Sequence, residues 1–304
     1  MGLARVITLG SGKGGTGKSF LAANLGLALA RAGVRTTLVD LDLGCADLHL
    51  MLGVLSPQRG LLEVLRGEVA AMQDAAMPVA GQPLLSLVPG TGETLRMSGL
   101  TGGEVVQLAH GLRQLEAEVV VVDLPAGVTP QVLDLFLAGD QQVVVATPDP
   151  VSLADARRLL SLARVRRSTR GQRGKAPRRP RVYTSLDDLV RDMNALREET
   201  AVERGTLHPA LVLNRCRPGG GVSTEQHLRS LAQQLGGLDL PLLAEIPDDP
   251  QVESSMRMLQ PLVALAPGAP AAEALARLAQ RIAAELGRTV PAAVPAEARE
   301  TVGV

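Results

Sequence analysis

The stretch GSGKGGTGKS at residues 10–19 constrains the fold more than any other. Gly12, Gly17, Lys18 and Ser19 occupy the fixed positions of G-x-x-x-x-G-K-[ST], and both flanks suit that pattern. RVITLG (5–10) before it is a short, apolar, β-branched run that reads as a buried strand. FLAANLGLALARAG after it places Leu21, Leu25, Ala28 and Leu29 on one helical face and stops at Gly33. A glycine-rich loop between a strand and a helix N-terminus turns backbone N–H groups and the positive end of the helix dipole toward an anion. The pattern therefore predicts a phosphate cradle, with Lys18 neutralising β- and γ-phosphates and the Ser19 hydroxyl binding Mg²⁺. Lys13 is surplus to this scheme. Lys18 already fills the space beside the phosphates, so Lys13 is either solvated or reaches outward, to a nucleotide on a second subunit.

Strand candidates continue at RTTLVDLD (35–42), LLSLVP (84–89), EVVVVDLP (118–125), QQVVVATP (141–148), ALVLNR (210–215) and PLLAEIP (241–247). Several are unbroken Val/Leu/Ile runs, as in strands buried on both faces of a parallel sheet. Helical segments alternate with them at 17–32, 101–116, 151–164, 223–235 and 271–286. This is βαβ patterning, and it predicts a doubly wound, mostly parallel α/β sheet with its ligand at the carboxyl ends of the strands. A chain of 304 residues, 46% hydrophobic, is long enough to bury one substantial core. Zero net charge excludes a globally basic nucleic-acid binder, and one Tyr, two Phe and no Trp supply no base-stacking platform. No 18-residue apolar run exists and the chain enters its first strand at once, so a cytoplasmic protein is expected.

Two strands end in acids. LVDLDLG carries Asp40 and Asp42 at i and i+2, a spacing that points both side chains the same way from a strand end, and VVVVDLPAG carries Asp123 after four valines. An acid so placed beside a phosphate loop holds Mg²⁺ through its water shell; helix capping or turn formation is the alternative use.

KGGTGKS (Lys13–Ser19) resembles the deviant Walker A motif of the MinD/ParA group of ATPases. The resemblance implies a P-loop NTPase fold of the MinD (SIMIBI-like) type and ATP with Mg²⁺ as cofactors. It also implies an ATP-sandwich homodimer in which Lys13 crosses to the partner's phosphates, and it brings Gly14, Gly15 and Thr16 into the cradle with Gly12, Gly17, Lys18 and Ser19. VDLDLGCADL is similar to the family's switch I, which makes Asp42 the residue that orients the attacking water and Asp40 a support of the Mg²⁺ shell. DLPAG is similar to switch II, where Gly127 senses the γ-phosphate through its backbone. Adenine would be read by Asn214 of LVLNR and flanked by Pro247 and Asp248 of IPDDP; a lone strand-ending Asn is otherwise a turn residue. The likeness covers roughly 3–164 and 208–286, with three departures: Phe20 replaces a hydroxyl residue near the α-phosphate, Asp47 the usual switch I Asn, and Asp149 a Glu.

Residues 164–181, RVRRSTRGQRGKAPRRPR, hold nine Lys/Arg and no acid, which leaves 22 basic against 31 acidic residues elsewhere. A plain solvated linker and an electrostatic contact to DNA or an acidic partner both fit this run. It leads to SLDDLVRDMNALREETAVERG (185–205), whose Ser185 and Asp188 make a capping-type start. Leu186, Leu189, Val190, Met193 and Leu196 form an apolar stripe that docks on the parent domain or, less simply, on a partner. The expected organisation is an ATPase domain over 1–288, with a linker-plus-helix insertion at 164–207 and a tail without fixed structure at 289–304. This insertion resembles the FlhG-like, flagellar-regulator branch, although that branch's N-terminal activating helix is missing. The tail TVPAAVPAEARETVGV lacks the basic amphipathic stripe of an autonomous membrane anchor. The implied function is an ATP-switched positioning regulator that acts on an unidentified protein effector. A ParA-type DNA-partitioning ATPase is the alternative. An iron-sulfur carrier fits less well, because Cys45 and Cys216 each lack a second thiol nearby.

Overall fold

The computed structural model describes residues 3–90, 100–170, 207–217 and 240–288. The expected helix at 223–235, the 185–205 stripe, the basic run beyond 170 and the 289–304 tail lie outside these residues.

Eight strands form one sheet: β1 (Arg5–Gly10), β2 (Thr36–Asp40), β3 (Met77–Val79), β4 (Gln82–Val88), β5 (Val119–Asp123), β6 (Gln141–Ala146), β7 (Pro209–Cys216) and β8 (Leu242–Pro247). Their order is β3-β4-β2-β5-β1-β6-β7-β8. Every neighbouring pair is parallel except β3–β4, a short antiparallel hairpin at one edge. The helices among the described residues are α1 (Lys18–Arg31), α2 (Leu48–Met51), α3 (Leu61–Arg66), α4 (Gly102–Arg113), α5 (Pro130–Phe136), α6 (Pro150–Arg170), α7 (Gln251–Arg257), α8 (Leu262–Leu265) and α9 (Pro270–Glu285), with a 3-10 turn at Met72–Ala75.

The valine run of β5 shows why the sheet sits in the middle. Val119 and Val121 pack into the core on one face with Ile7, Leu25 and Leu275, while Val120 and Val122 pack into the core on the other with Leu108, Phe136 and Leu159. Period-2 alternation sends successive side chains to opposite faces, so a strand covered on both sides must be apolar throughout. Each fully buried Val contributes on the order of 1.5 kcal/mol or more from the water it leaves. Helix α1 departs from the one-face expectation, being buried from Phe20 through Ala30 because α9 covers the side turned away from the sheet. Gly26 makes the sheet contact possible: a Cβ there would lie 2.5 Å from Leu38 Cδ2.

Two expectations are corrected. Helix α6 does not stop at 164 but runs to Arg170, so the first seven residues of the basic run are helix rather than linker. The reason is tertiary: Arg166 donates a bidentate pair of hydrogen bonds, 2.9 and 2.7 Å, to nearly buried Asp134 on α5. Strand β2 ends at Asp40, so strand alternation does not set the direction of Asp42. The chain turns there instead, and the Asp42 N–H donates to Asp40 Oδ1 at 3.1 Å. No described helix is long and apolar enough to cross a membrane.

Candidate functional site

The Gly12–Ser19 loop leaves the C-terminal end of β1, flanked by β5 and β6, and opens α1 with Gly17 as N-cap. Gly15 and Gly17 have φ of 79° and 91°, in the left-handed region that glycine adopts without penalty. Space is equally restrictive: a Cβ on Gly17 would lie 2.2 Å from Asn214 Nδ2, and one on Gly12 would lie 2.4 Å from the Asp155 carbonyl oxygen. Lys18 is buried, and the Ser19 hydroxyl lies close enough to the Asp123 carboxylate to lower its pKa.

Asp40 and Asp123, the last residues of β2 and β5, are register partners on adjacent strands, and each is 1% exposed. Asp40 accepts from the N–H groups of Asp42 and Leu48, the latter at 3.2 Å, yet burial and then the neighbouring Asp123 hold its pKa well above the usual carboxylate value. Burial likewise pushes Asp123 up to about 6, against the Ser19 hydroxyl and Lys18, which pull it down. Asp42 and Asp47 add repulsion, and Asp47 is itself raised by burial and by Asp42. Negative charge is thus concentrated where one lysine cannot balance it.

Two buried polar atoms here have no hydrogen-bond partner, Asp123 Oδ1 and Thr16 Oγ1. An unpaired buried oxygen costs about 1–3 kcal/mol, so each is poised for a missing ligand. A divalent cation at Ser19, Asp40 and Asp123 would relieve both the repulsion and the unpaired carboxylate. Among the described residues no group of three or more His, Cys, Asp or Glu could hold a metal by itself. Mg²⁺ keeps several waters and shares its remaining positions with substrate phosphates.

The other expected residues gather around this centre with differing fit. Gly127 has φ of 109°, and its N–H is already donated to the Ser11 carbonyl of the loop at 2.9 Å. Lys13 Nζ lies 3.4 Å from Asp149 Oδ1 of its own chain, and Asp149 also accepts from the Ser152 N–H at 2.8 Å. Asn214 is buried; its Nδ2 donates to the Thr16 carbonyl at 2.9 Å and its Oδ1 accepts from the Arg215 N–H at 3.0 Å. Those bonds fix the amide's orientation and leave one N–H and one lone pair for a base. Pro247 is half-buried, whereas exposed Asp248 pairs with Arg217 at 3.1 Å. Phe20, which replaces a hydroxyl residue, is buried in the apolar core.

Sequence reasoning missed two contacts and one backbone conformation. The tie of Asn214 to the phosphate loop spans 198 residues and carries no local signal. Asp249 accepts from the N–H groups of Gln251 and Ala271, so the second acid of IPDDP joins α7 to α9; the paired aspartates were the available hint. Arg215 sits at φ 58° where the β7–β8 register shifts, an unusual conformation for a non-glycine residue.

A glycine loop between the central strand β1 and a buried helix, with aspartates ending the neighbouring strand β5 and β2 beyond it, defines a P-loop NTPase. Residues 2–169 match the family described as ParA: NUBPL iron-transfer P-loop NTPase, and the chain belongs to this ParA/MinD family. An ATP-binding protein of Methanocaldococcus jannaschii is 26% identical over 284 residues, covering 92% of this chain and 88% of that protein. The antiactivator FleN of Pseudomonas aeruginosa is 32% identical over 158 residues, covering 52% of this chain and 56% of FleN. The chain therefore matches only about half the length of FleN. In fold it is similar to the septum site-determining protein MinD of Pyrococcus horikoshii, solved with Mg-ADP, with a TM-score of 0.64 at 24% identity over 93% of this chain and 98% of that one.

Proposed function

We propose that the protein is an ATP-hydrolysing, dimerising switch that positions other components, of the MinD and FlhG-like kind. One observation carries this reading: Asp40 and Asp123 lie side by side and buried, with an unpaired carboxylate oxygen, next to Lys18 and Ser19. When bound, Mg²⁺ would supply charge neutralisation for the β- and γ-phosphates. Lys18 and the N–H groups of Gly14 to Ser19 bind and orient the triphosphate, Ser19 and the two buried carboxylates hold the metal's shell, and Asp42 orients the attacking water. Gly127 exchanges its bond to the Ser11 carbonyl for the γ-phosphate, and Lys13 leaves Asp149 for the partner subunit's nucleotide. Such a switch needs only that ATP and ADP favour different states.

The likeness to FleN and to MinD supports a regulator whose ATP dimer engages a protein effector. Iron transfer, named in the family's description, has less support: Cys45 is exposed and alone, and burial pushes the Cys216 thiol up to about 11, away from the thiolate that binds metal. The arginine-rich run favours a second reading, non-specific DNA binding by the ATP dimer. Filter binding with ATP at two salt concentrations decides it, and no retention at low salt removes that reading.

Lys18→Ala is expected to abolish nucleotide binding. Asp42→Ala is expected to trap the ATP dimer, seen as a doubled mass by light scattering, and a monomer in saturating ATP would refute the role given to Asp42. The trapped variant is also the bait with which to capture the effector.

A further inference from the structure

A cavity of about 530 Å³ opens between α2, the loop after it, α3 and the end of β4, and no residue assigned to the nucleotide lines it. Leu50, Leu62 and Pro89 form its apolar wall. Its two guanidinium groups stand at opposite ends of α3, Arg59 just before the Gly60 N-cap and Arg66 as the last helical residue. The six-residue helix that lies between Gly60 and the end of Arg66 is about 9 Å long. One carboxylate, Glu63, shares the cavity with the two arginines. The Glu63 carboxylate is committed to the Gly60 N–H at 2.6 Å, and Arg66 meets Glu68 only at 3.8 Å between exposed side chains. Arg59 makes no ion pair or side-chain hydrogen bond among the described residues. Deeper in the wall, buried His49 leaves Nδ1 without a hydrogen-bond partner. The volume falls in the range of small-molecule sites, and paired arginines suit phosphate or carboxylate.

We propose that this cavity is a second ligand site, for an elongated small molecule bearing an anionic group at each end, a sugar bisphosphate being the type. The site is joined to the nucleotide centre through Asp40. Leu48, which begins α2, donates its N–H to Asp40 Oδ2, and the Leu61 N–H that begins α3 bonds the Pro89 carbonyl at 3.0 Å. Gly90, in the cavity wall, approaches so closely that a Cβ would lie 3.0 Å from the Asp40 carbonyl oxygen and 2.6 Å from Ala46 Cβ. A ligand that draws α2 toward α3 therefore shifts the surroundings of Asp40 and changes ATP affinity. That coupling rests on the metal-shell role given to Asp40; the site itself does not.

Calorimetric titration of the full-length Lys18→Ala variant, in which the phosphate loop is disabled, tests the site. The probes are fructose 1,6-bisphosphate, glucose 6-phosphate and inorganic phosphate. The bisphosphate is expected to bind about tenfold or more tightly than either monophosphate, and Arg59→Gln or Arg66→Gln to weaken it by about tenfold each, as loss of a charge-assisted contact does. Circular dichroism checks that these surface variants remain folded. Absence of saturable binding overturns the proposal, as does binding that both arginine variants leave unchanged. In the otherwise unaltered protein, saturating bisphosphate and ATP should change each other's affinity by the same factor. Unchanged ATP affinity overturns the coupling while the site stands; failure of ATP to bind at all refutes the proposed function and leaves the Lys18→Ala titration unaffected.

Discussion

Asp123 carries the sharpest consequence at the scale of single residues. Its folded pKa of about 6 stands above the ordinary 3.8, so the folded state favours the protonated form. The resulting penalty is absent below about pH 4, accumulates as pH rises to about 6 and is complete above that. Ionising this buried group costs the nucleotide-free protein about 3 kcal/mol at neutral pH. Asp123→Asn is therefore expected to raise the melting temperature of the nucleotide-free protein at pH 7.5 and to flatten its dependence between pH 4 and 6, while removing the gain from Mg-ATP. Thermal melts at pH 5 and 7.5 check both signs, and a variant that melts lower than the parent at pH 7.5 contradicts the electrostatic account. Such a site gives up stability when empty to gain it when filled, which is how a ligand that binds only the folded state stabilises it.

At the scale of elements, two bends carry strain that their residues do not suit. Just beyond α7, Leu259 has φ of 51°, and there the Gln260 N–H reaches back to the Ser255 carbonyl at 3.1 Å and closes the last turn. A glycine would normally stand at such a terminus, since the left-handed region costs other residues roughly 1–2 kcal/mol. Leu259 is partly exposed, so little packing is lost on truncation, and Leu259→Gly is expected to stabilise by about 1 kcal/mol. A shift of the urea midpoint at constant slope is the measurement; a lower midpoint means that the leucine packs more usefully than its exposure indicates. Arg215 shares the strained conformation but lies beside Asn214, where its N–H orients the amide against the phosphate loop. There the strain serves the site. Helix α6 shows the complementary effect, since one bidentate contact to Asp134 carries it past the point at which its own sequence turns polycationic.

At the scale of the whole molecule, the proposed switch would depend on where Lys13 rests. In the single chain it pairs with Asp149 between two partly exposed side chains, a contact of about 0–1 kcal/mol. Asp149→Ala is expected to release Lys13 and to lower the ATP concentration for half-maximal dimerisation by no more than about fivefold, as that energy allows. Light scattering across an ATP titration measures it. Loss of dimerisation would instead make Asp149 part of the contact between subunits. On the proposed reading, closing would also break the Gly127 to Ser11 bond, and the γ-phosphate would compete with the loop's own backbone for one N–H.

The sequence by itself determined the phosphate loop, the two strand-ending aspartates and the buried parallel sheet. Each is a local consequence of backbone sterics, helix-terminus electrostatics or side-chain alternation, and so is written within a few consecutive residues. Only the tertiary structure decided that Asp40 and Asp123 are neighbours, because β2 and β5 lie side by side although 83 residues separate those positions. It also decided that Asn214 is held by Thr16, that Lys13 rests on Asp149, and that α1 is covered on all sides by α9 and the sheet. The short edge strand β3 and helices α2 and α3 escaped a reading by periodicity because they are too short to repeat a pattern and are held by contacts such as Leu48 to Asp40 and Leu61 to Pro89. Burial and charge at this centre arise when distant segments meet, and a linear pattern carries no record of that meeting.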